Sequence, residues 1–471
     1  MSNFDFLKDE FIDLYELCLE AEKNCYIKPR TSAFYSRLAL EFCVGLVYKF
    51  EKIQTSYNEM SLNDLINKKE FKDLFQDESQ IAGLNLIRKF GNDAAHMLKN
   101  IISDTGRNLP LNKDIALNSL KGIFDFTVWI AYCYGSTLKT DDIKFDEKYI
   151  THSSSEEENI NDIKITNDDV KNNIEKIKVV PTKKHNTRIN NNNFSEKETR
   201  KLFIDFLLMK AGWNLNDKNM FEYEVEGLKS TSSGKGNIDY VLWGDSAYPL
   251  AIIEAKKASY NAKKGEFQAL EYAEALERKF NFFPIRFVTN GFEIFIYENK
   301  NSIPRRIYGF YRKEELLKII ARRNEKITSN DISINKKIID RYYQERAVKK
   351  AIENYISGNR KSLLVMATGS GKTRVAISLV DCLSRLNMVK RTLFLADRVA
   401  LVKQALNSFK NSLPDYTLVD LVAEKDRDNA KIVFSTYQTM MTEAEKSRED
   451  GTNKYGVGAF DLIIVDEAHR S

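Results

Sequence analysis

The chain has 471 residues, of which 43% are hydrophobic and 30% are charged, a composition typical of soluble globular proteins with several apolar cores. Lysine and arginine number 72 against 67 acidic residues, and the net charge of +5 permits a nucleic-acid partner without requiring one. No apolar stretch approaches the ~20 residues of a membrane span, and no secretion signal opens the chain, so membrane and secreted classes are poor expectations.

At roughly 100–200 residues per domain, the length predicts about three domains. The five cysteines are scattered and form no C-x-x-C pair, which argues against zinc and disulfide frameworks and fits a reducing cytoplasm. Residues 1–135 are predicted to be an all-α domain, because apolar residues recur there at helical spacing, as in Phe34, Leu38, Phe42 and Leu46. Residues 136–193 are polar and are predicted to be a linker.

Residues 194–325 show a mixed α and β pattern. A helix is predicted to begin at Ser195, where Ser195 and Glu198 match a capping box. Strands and one further helix are then predicted from the apolar runs and the turn signals. The strands are 238–243, 250–256, 285–289 and 293–297, and the helix is 267–279.

Residues 326–471 alternate helices with continuous apolar runs, the pattern of a parallel, doubly wound sheet. The predicted strands are 362–366, 391–395, 431–435 and 461–465. The first strand leads into Met366-Ala-Thr-Gly-Ser-Gly-Lys-Thr373, which opens a helix, and this is the context that a phosphate-binding loop requires.

Each residue of that loop has a predicted task. The backbone of Gly369, Ser370 and Gly371 can turn its N–H groups toward phosphate oxygens. Lys372 brings a positive charge to the β and γ phosphates, and Thr373 brings a hydroxyl to Mg²⁺. The alternative is a glycine-rich turn that only caps a helix, and the strict pattern would have glycine where Met366 stands.

A second acidic element follows about 90 residues later. The apolar run 461–465 delivers Asp466 and Glu467 at a strand end, where ligands bind in open α/β sheets. Asp466 is predicted to hold Mg²⁺ and Glu467 to polarise an attacking water. The alternative is a solvated strand end.

The middle region predicts a carboxylate pair. If the hairpin between the first two strands is centred at Ser246 and Ala247, Asp239 stands opposite Glu254, with Cβ atoms about 5 Å apart. Two carboxylates so close repel unless a cation lies between them, and oxygen ligands suit Mg²⁺. Lys256 shares a strand face with Glu254 and can stabilise charge on a phosphodiester. The alternative is a polar strand face with a compensating Glu–Lys pair.

The loop 368–373 and Asp466-Glu-Ala-His469 resemble the first RecA-like domain of superfamily 2 helicases and translocases, a domain that is incomplete here. The resemblance implies that Gln344, in Tyr342-Tyr-Gln-Glu-Arg-Ala, reads adenine. It also implies that further polar residues at strand ends touch DNA phosphates. These are Arg398, Thr436 and Gln438.

Asp239, Glu254 and Lys256 resemble the PD-(D/E)xK nuclease core. Gln268 and Tyr272 match the Gln-x-x-x-Tyr element of type I restriction nucleases, and Glu198 matches the acid that precedes their core. In the first domain, Arg88 and His96 lie in a motif similar to HEPN-like helical domains, although their spacing departs from the RNA-cleaving pattern. A structural His96 is expected.

A nuclease core followed by a translocase resembles the restriction subunit of type I restriction–modification enzymes. That resemblance implies ATP and Mg²⁺ as cofactors, cleavage and translocation of double-stranded DNA, and partner modification and specificity subunits, with no membrane partner. Two alternatives stay open. One is a helicase–nuclease of defence or repair outside restriction systems, and the other is a catalytically incomplete fragment that binds DNA or partners. We also expect the chain to be part of a longer protein.

Overall fold

The computed structural model combines a helical region with two α/β regions, each built on its own sheet. Among the residues that it describes, no helix has both the length and the apolar character needed to cross a bilayer. The structure describes residues 1–53, 60–75, 78–100, 113–135, 143–150, 174, 203–256, 261–291, 293–323, 327–424, 429–444, 446, 448 and 451–468.

The helical region packs around the long central helix α2, whose first residue, Pro29, suits a first helical turn. Neighbouring helices cover its apolar faces, with Leu38 and Phe42 buried. The helices are α1 Ile12–Asn24, α2 Pro29–Phe50, α3 Leu62–Asn67, α4 Lys69–Lys72, α5 Glu78–Asn100 and α6 Lys113–Tyr134.

Residues 143–150 pack against this helical region, although the sequence assigns them to the linker. Asn3 donates from its side chain to the carbonyl of Asp146 (3.0 Å) and accepts from the Asp146 N–H (2.7 Å), and Ile150 is buried in the same core. Ile174 is also buried there. The rest of the predicted linker, with the capping box at Ser195, lies outside the described residues.

The first α/β region is a six-stranded sheet in the order β1-β2-β3-β4-β5-β6, antiparallel except where β3 pairs with β4. Helix α8 covers one face and α7 and α9 cover the other. The elements are α7 Asp205–Lys210, β1 Phe221–Glu226, β2 Lys235–Trp243, β3 Pro249–Ala255, α8 Glu266–Phe280, β4 Ile285–Thr289, β5 Ile294–Tyr297, β6 Arg305–Ile307 and α9 Lys313–Arg322.

Strands β1 and β6 were not predicted from the sequence. β1 carries three glutamates among its six residues, so its pattern is that of an exposed edge strand, and β6 has only three residues. The run of β6 is too short to be recognised alone, whereas β1 alternates apolar residues with glutamates, which is the sequence pattern of a half-buried strand. Helix α7 contributes Phe206, whose ring lies 4.7 Å from that of Phe90, so the sheet region also contacts the helical region.

The second α/β region is a four-stranded parallel sheet in the order β10-β7-β9-β8, which confirms the parallel arrangement predicted for three of its strands. Helices α11 and α12 pack in its apolar core. The elements are α10 Tyr342–Ile356, α11 Lys372–Arg385, β7 Thr392–Ala396, α12 Val399–Ser412, β8 Leu418–Asp420, β9 Ile432–Thr436, α13 Tyr437–Ala444 and β10 Leu462–Val465.

The strand predicted at 362–366 is wrong. These residues belong to neither sheet, and Leu363 and Val365 are 80% and 89% exposed. A strand exists only where a neighbour accepts and donates its backbone hydrogen bonds. In the described part of the chain β10 pairs with β7 alone, and the run 362–366 forms no ladder with it. The apolar run predicts a buried strand, but among the described residues no strand pairs with it and its side chains are largely exposed.

Candidate active sites

Asp239 and Glu254 lie on adjacent strands in the predicted register. The backbone pairs Tyr240 with Ile253 and Leu242 with Ala251, and the same antiparallel register sets Asp239 opposite Glu254. A bulge after Leu242 shifts only the far end of the hairpin. The two carboxylate residues are 6% and 2% exposed, so both are withdrawn from water.

A series of hydrogen bonds connects this pair to helix α8. Lys256 Nζ lies 2.5 Å from Glu254 Oε1 and donates to Gln268 Oε1 at 2.9 Å. Gln268 Nε2 then donates to the Tyr272 hydroxyl at 2.8 Å. Gln268 and Tyr272 are four residues apart on α8 and so share one helix face. The structure brings together five residues that the sequence singled out.

The local backbone holds these side chains in place. Asp239 Oδ2 accepts the N–H of Ala255 at 2.6 Å, and the N–H of Lys256 donates to the carbonyl of Thr289 on β4 at 2.8 Å. These hydrogen bonds fix the backbone position of Lys256 just beyond the end of β3. Since the lysine side chain is 17% exposed, its charge is partly shielded from water.

Burial raises the pKa of the Tyr272 hydroxyl, and the charges of Glu254 and Asp239 raise it further, while the hydrogen bond from Gln268 opposes the shift. Because the ordinary value is 10.0, Tyr272 is protonated at neutral pH. The tyrosine is thus a neutral group that accepts from Gln268 beside two carboxylates.

Two glycines complete the site, and sequence reasoning missed both. A Cβ on Gly265 would lie 3.0 Å from Glu254 Cγ and 3.3 Å from Lys256 Cε. A Cβ on Gly236 would lie 3.0 Å from the Tyr272 ring. Gly236 lies within β2 and Gly265 directly precedes α8, and neither position carries a motif. Only the close approach in three dimensions shows that an added side chain would be crowded there.

The donor set at this site is made of oxygen atoms, which is the ligand type that Mg²⁺ prefers. Asp239 and Glu254 can each offer a carboxylate oxygen. Within the described ranges no group of three or more His, Cys, Asp or Glu side chains is arranged to hold a metal. Glu198, the other acid predicted here, lies outside the described residues, and so does the side chain of His96.

The second candidate site lies at the start of α11. Gly369 and Gly371 adopt φ values of 76° and 89°, a left-handed backbone that suits glycine, and Lys372 follows as the first helical residue. Lys372 Nζ donates to Glu467 Oε1 at 2.9 Å across 95 residues of sequence. The hydrogen bond that Lys372 donates to Glu467 raises the pKa of Lys372, so this side chain is charged at neutral pH.

Strand β10 delivers the acidic pair to this place. The N–H of Asp466 donates to the carbonyl of Leu395 at 2.9 Å, which continues the pairing of β10 with β7, and Asp466 Oδ1 accepts the N–H of Glu467 at 3.1 Å. Thr373 is half-buried in the first turn of α11. Asp466, Glu467 and Lys372 therefore meet at one edge of the sheet.

Gln344 is buried beside the glycine-rich loop. Its Nε2 donates to the carbonyl of Ser370 at 2.8 Å, and a Cβ on Gly371 would collide with the same amide. Gln344 Oε1 is buried with no hydrogen-bond partner among the described residues. A buried acceptor of this kind costs free energy until a donor reaches it.

The remaining predicted residues lie at the carboxyl ends of β7 and β9, which are neighbours. Arg398 is exposed and precedes α12, and Gln438 is exposed on α13. The Thr436 hydroxyl lies 2.9 Å from that of Thr439 and accepts the Thr439 N–H, so Thr436 caps α13. These residues share the sheet edge at which Asp466 and Glu467 lie.

Two family models match the chain. Residues 222–305 match the N terminus of type I restriction enzyme R proteins, and residues 337–471 match the res subunit of type III restriction enzymes. The first match contains the Asp239–Glu254 site and the second contains the glycine-rich loop.

Several known proteins are similar. The EcoAI endonuclease subunit of Escherichia coli is 29% identical over 304 residues, which is 60% of this chain and 36% of the relative. The EcoKI endonuclease subunit of E. coli strain K12 is 27% identical over 346 residues, which is 59% of this chain and 29% of the relative. A solved fragment of an HsdR-type subunit from Vibrio vulnificus YJ016 is 24% identical, covers 59% of this chain and 52% of that one, and gives a TM-score of 0.23.

The chain thus spans about a third of the length of these curated relatives. Both relatives are endonuclease subunits of type I restriction enzymes, and the restriction R-protein match precedes the helicase-type match along the chain. In the regions that these matches cover, the chain is similar to the R subunits of type I restriction enzymes and to the res subunit of type III restriction enzymes.

Proposed function

We propose that this chain is an endonuclease and motor subunit that cleaves DNA phosphodiesters with Mg²⁺ and translocates double-stranded DNA with ATP. The observation that carries the nuclease proposal is the hydrogen-bonded series from Glu254 through Lys256 and Gln268 to Tyr272, next to Asp239. A lone Glu–Lys pair on a strand needs no such support from a neighbouring helix. We assign residues 194–325 to a PD-(D/E)xK nuclease domain on this basis.

In this site Asp239 and Glu254 would hold Mg²⁺, which when bound polarises the phosphodiester and lowers the pKa of a water ligand. Lys256 stands beside Glu254 and stabilises the negative charge that builds on the phosphodiester in the transition state. Gln268 holds the Lys256 ammonium by one oxygen and is itself oriented by Tyr272. The two helix residues therefore act as positioning residues.

We assign residues 326–471 to a RecA-like motor domain, carried by the contact between Lys372 and Glu467. A bound nucleotide would draw Lys372 from Glu467 to its phosphates, with Thr373 and Asp466 holding Mg²⁺ and the backbone of Gly369, Ser370 and Gly371 donating N–H groups. Glu467 is then released to orient the attacking water. The buried Gln344 Oε1 can accept an N–H from the adenine amino group, which fits ATP as the cofactor.

DNA translocation places the strand ends of β7 and β9 against the phosphate backbone. Arg398 and Gln438 are exposed at this edge. Thr436 lies at the same edge, although its hydroxyl is already hydrogen-bonded to Thr439. Contacts to phosphates set position and carry no base sequence. Recognition of a site therefore falls to a specificity subunit, with a modification subunit in the same complex.

Plasmid cleavage tests the nuclease proposal. The chain, alone and in complex with its modification and specificity subunits, is incubated with plasmid, Mg²⁺ and ATP. We expect Lys256→Ala and Asp239→Ala to abolish nicking, while Asp245→Ala, at an exposed turn of the same sheet, retains it. Equal cleavage by all variants contradicts the assignment.

A further inference from the structure

We infer that the turn Asn261–Gly265 and the adjoining Phe267 form a contact for a locally unpaired DNA strand beside the cleavage site. This inference rests on the proposed nuclease function and identifies the form of DNA that the site accepts. It starts from the position of the turn, which joins the strand of Glu254 to the helix of Gln268.

The turn lies directly against the reacting groups. Gly265 approaches Glu254 and Lys256 so closely that a Cβ there would stand 3.0 Å from Glu254 Cγ and 3.3 Å from Lys256 Cε. Asn261 caps the turn by accepting the Lys263 N–H at 2.9 Å, which fixes its shape. We therefore place a DNA strand whose phosphodiester reaches Lys256 next to this turn.

The exposed side chains of the turn suit nucleic acid. Lys263 and Lys264 are both exposed, and the acidic Glu266 follows them. From Lys256 to Phe267 the sequence contains four lysines and one acidic residue, Glu266. Lys263 Nζ lies 5.0 Å from the centre of the Phe295 ring. Exposed lysines at this position suit contacts with phosphates near the one that is cut.

Phe267 is the unusual residue. Its side chain is 65% exposed, although helix α8 buries Ala269, Tyr272, Ala273 and Leu276 in the core. It is one residue before Gln268, so the exposed ring stands at the edge of the site. Aromatic rings next to a basic groove stack on the faces of bases. Base faces are covered in a closed duplex, and extruding a base costs least where pairing is already lost. The exposed ring therefore favours an unpaired strand.

Photocrosslinking tests this contact directly. The full chain, with Ca²⁺ replacing Mg²⁺ to prevent cleavage, is irradiated with a duplex whose short central bubble carries 5-iodouracil, and adducts are mapped by peptide mass spectrometry. We expect an adduct on the peptide containing Phe267, reduced about tenfold or more with the fully paired duplex. Phe267→Leu should remove it.

The matched control is Tyr248→Leu. Tyr248 is a 48% exposed aromatic residue at the other end of the β2–β3 hairpin, and its substitution should leave the adduct intact. Lys263→Gln with Lys264→Gln should weaken binding and reduce its salt dependence.

The outcomes separate the inference from the proposed function. DNA that binds and crosslinks only elsewhere, or that crosslinks to Phe267 equally as a paired duplex, overturns the inference and leaves the nuclease proposal standing. A chain that binds neither bubble nor duplex overturns both.

Discussion

Arg322 Nη2 lies 2.6 Å from Asp461 Oδ1, and this ion pair joins helix α9 of the first α/β region to the residue that precedes β10 of the second α/β region. Asp461 Oδ2 also accepts the N–H groups of Lys390 and Arg391, each at 2.9 Å. The Asp461 side chain is only 4% exposed. One buried carboxylate thus holds α9, the entry to β7 and the entry to β10.

The segment before β10 makes further contacts with the first α/β region. The Asn453 N–H donates to the carbonyl of Lys210 at 2.9 Å, and the guanidinium of Arg312 donates to the carbonyl of Asn453. A Cβ on Gly458 would lie 2.8 Å from the Tyr311 ring. The segment that leads into β10 therefore attaches this strand, and with it Asp466 and Glu467, to the first α/β region.

Arg322→Ala should destabilise this junction by about 1–2 kcal/mol, between the values for exposed and buried ion pairs. Burial raises the pKa of Asp461, but the hydrogen bond and charge of Arg322 and two backbone N–H groups lower it more, to below its ordinary 3.8. The stabilisation is therefore complete above about pH 4 and is lost as the pH falls through the lower folded-state pKa.

Thermal unfolding of wild type and Arg322→Ala across this pH range measures the effect. The two proteins should differ at neutral pH and converge in acid. Lys350→Ala is the control, because Lys350 and Glu353 form an exposed pair on α10 with side chains 70% and 38% exposed. The prediction is contradicted if Lys350→Ala and Arg322→Ala lower the unfolding temperature equally. It is also contradicted if the difference between wild type and Arg322→Ala grows as the pH falls.

Gln268→Leu should reduce DNA cleavage by about a hundredfold, because misplacing a reacting group by about 1 Å has an effect of that order. The variant keeps a side chain of similar size but loses the acceptor for Lys256 Nζ and the donor to Tyr272. Single-turnover cleavage rates at saturating Mg²⁺ measure the change. Gln404→Leu, on α12 of the motor region, is the control and should cut at the wild-type rate. A normal rate for Gln268→Leu would show that α8 does not position the lysine.

Gly265→Ala should raise the Mg²⁺ concentration needed for half-maximal cleavage. The added methyl group meets Glu254 Cγ at 3.0 Å, so the carboxylate must move by a few tenths of an ångström. Gly244→Ala is the matched control, since its methyl group would meet Leu250 at 3.2 Å at the far end of the same hairpin. The control should lower stability without changing the Mg²⁺ dependence. The same Mg²⁺ dependence in both variants counts against a role for Gly265 at the site.

Gly371→Ala should weaken nucleotide binding more than Gly369→Ala does. Both glycines have positive φ, so each substitution carries about 1–3 kcal/mol of backbone strain. A methyl group on Gly371 also collides with the Gln344 amide, whereas a methyl group on Gly369 meets nothing within 4 Å. Titration with a fluorescent ATP analogue compares the two. Equal losses would mean that the contact with Gln344 is irrelevant to the nucleotide.

The amino-acid sequence by itself determined the local geometry of both sites. Strand alternation and the turn between β2 and β3 set Asp239 opposite Glu254, and the spacing of Gln268 and Tyr272 put both on one face of α8. The order of glycines, lysine and threonine determined the loop before α11. These features depend on residues that are close in the chain, so periodicity and turn chemistry suffice to predict them.

Only the tertiary structure decided the contacts between distant segments. The packing of sheets and helices produces the hydrogen bond from Lys256 to Gln268 and the crowding around Gly265. It also produces the ion pairs of Lys372 with Glu467 and of Arg322 with Asp461. The apolar run 362–366 makes the same point, because it forms no strand where the described fold provides no partner. Hydrogen bonds and burial need a neighbour in space, and a linear pattern does not specify which neighbour is present.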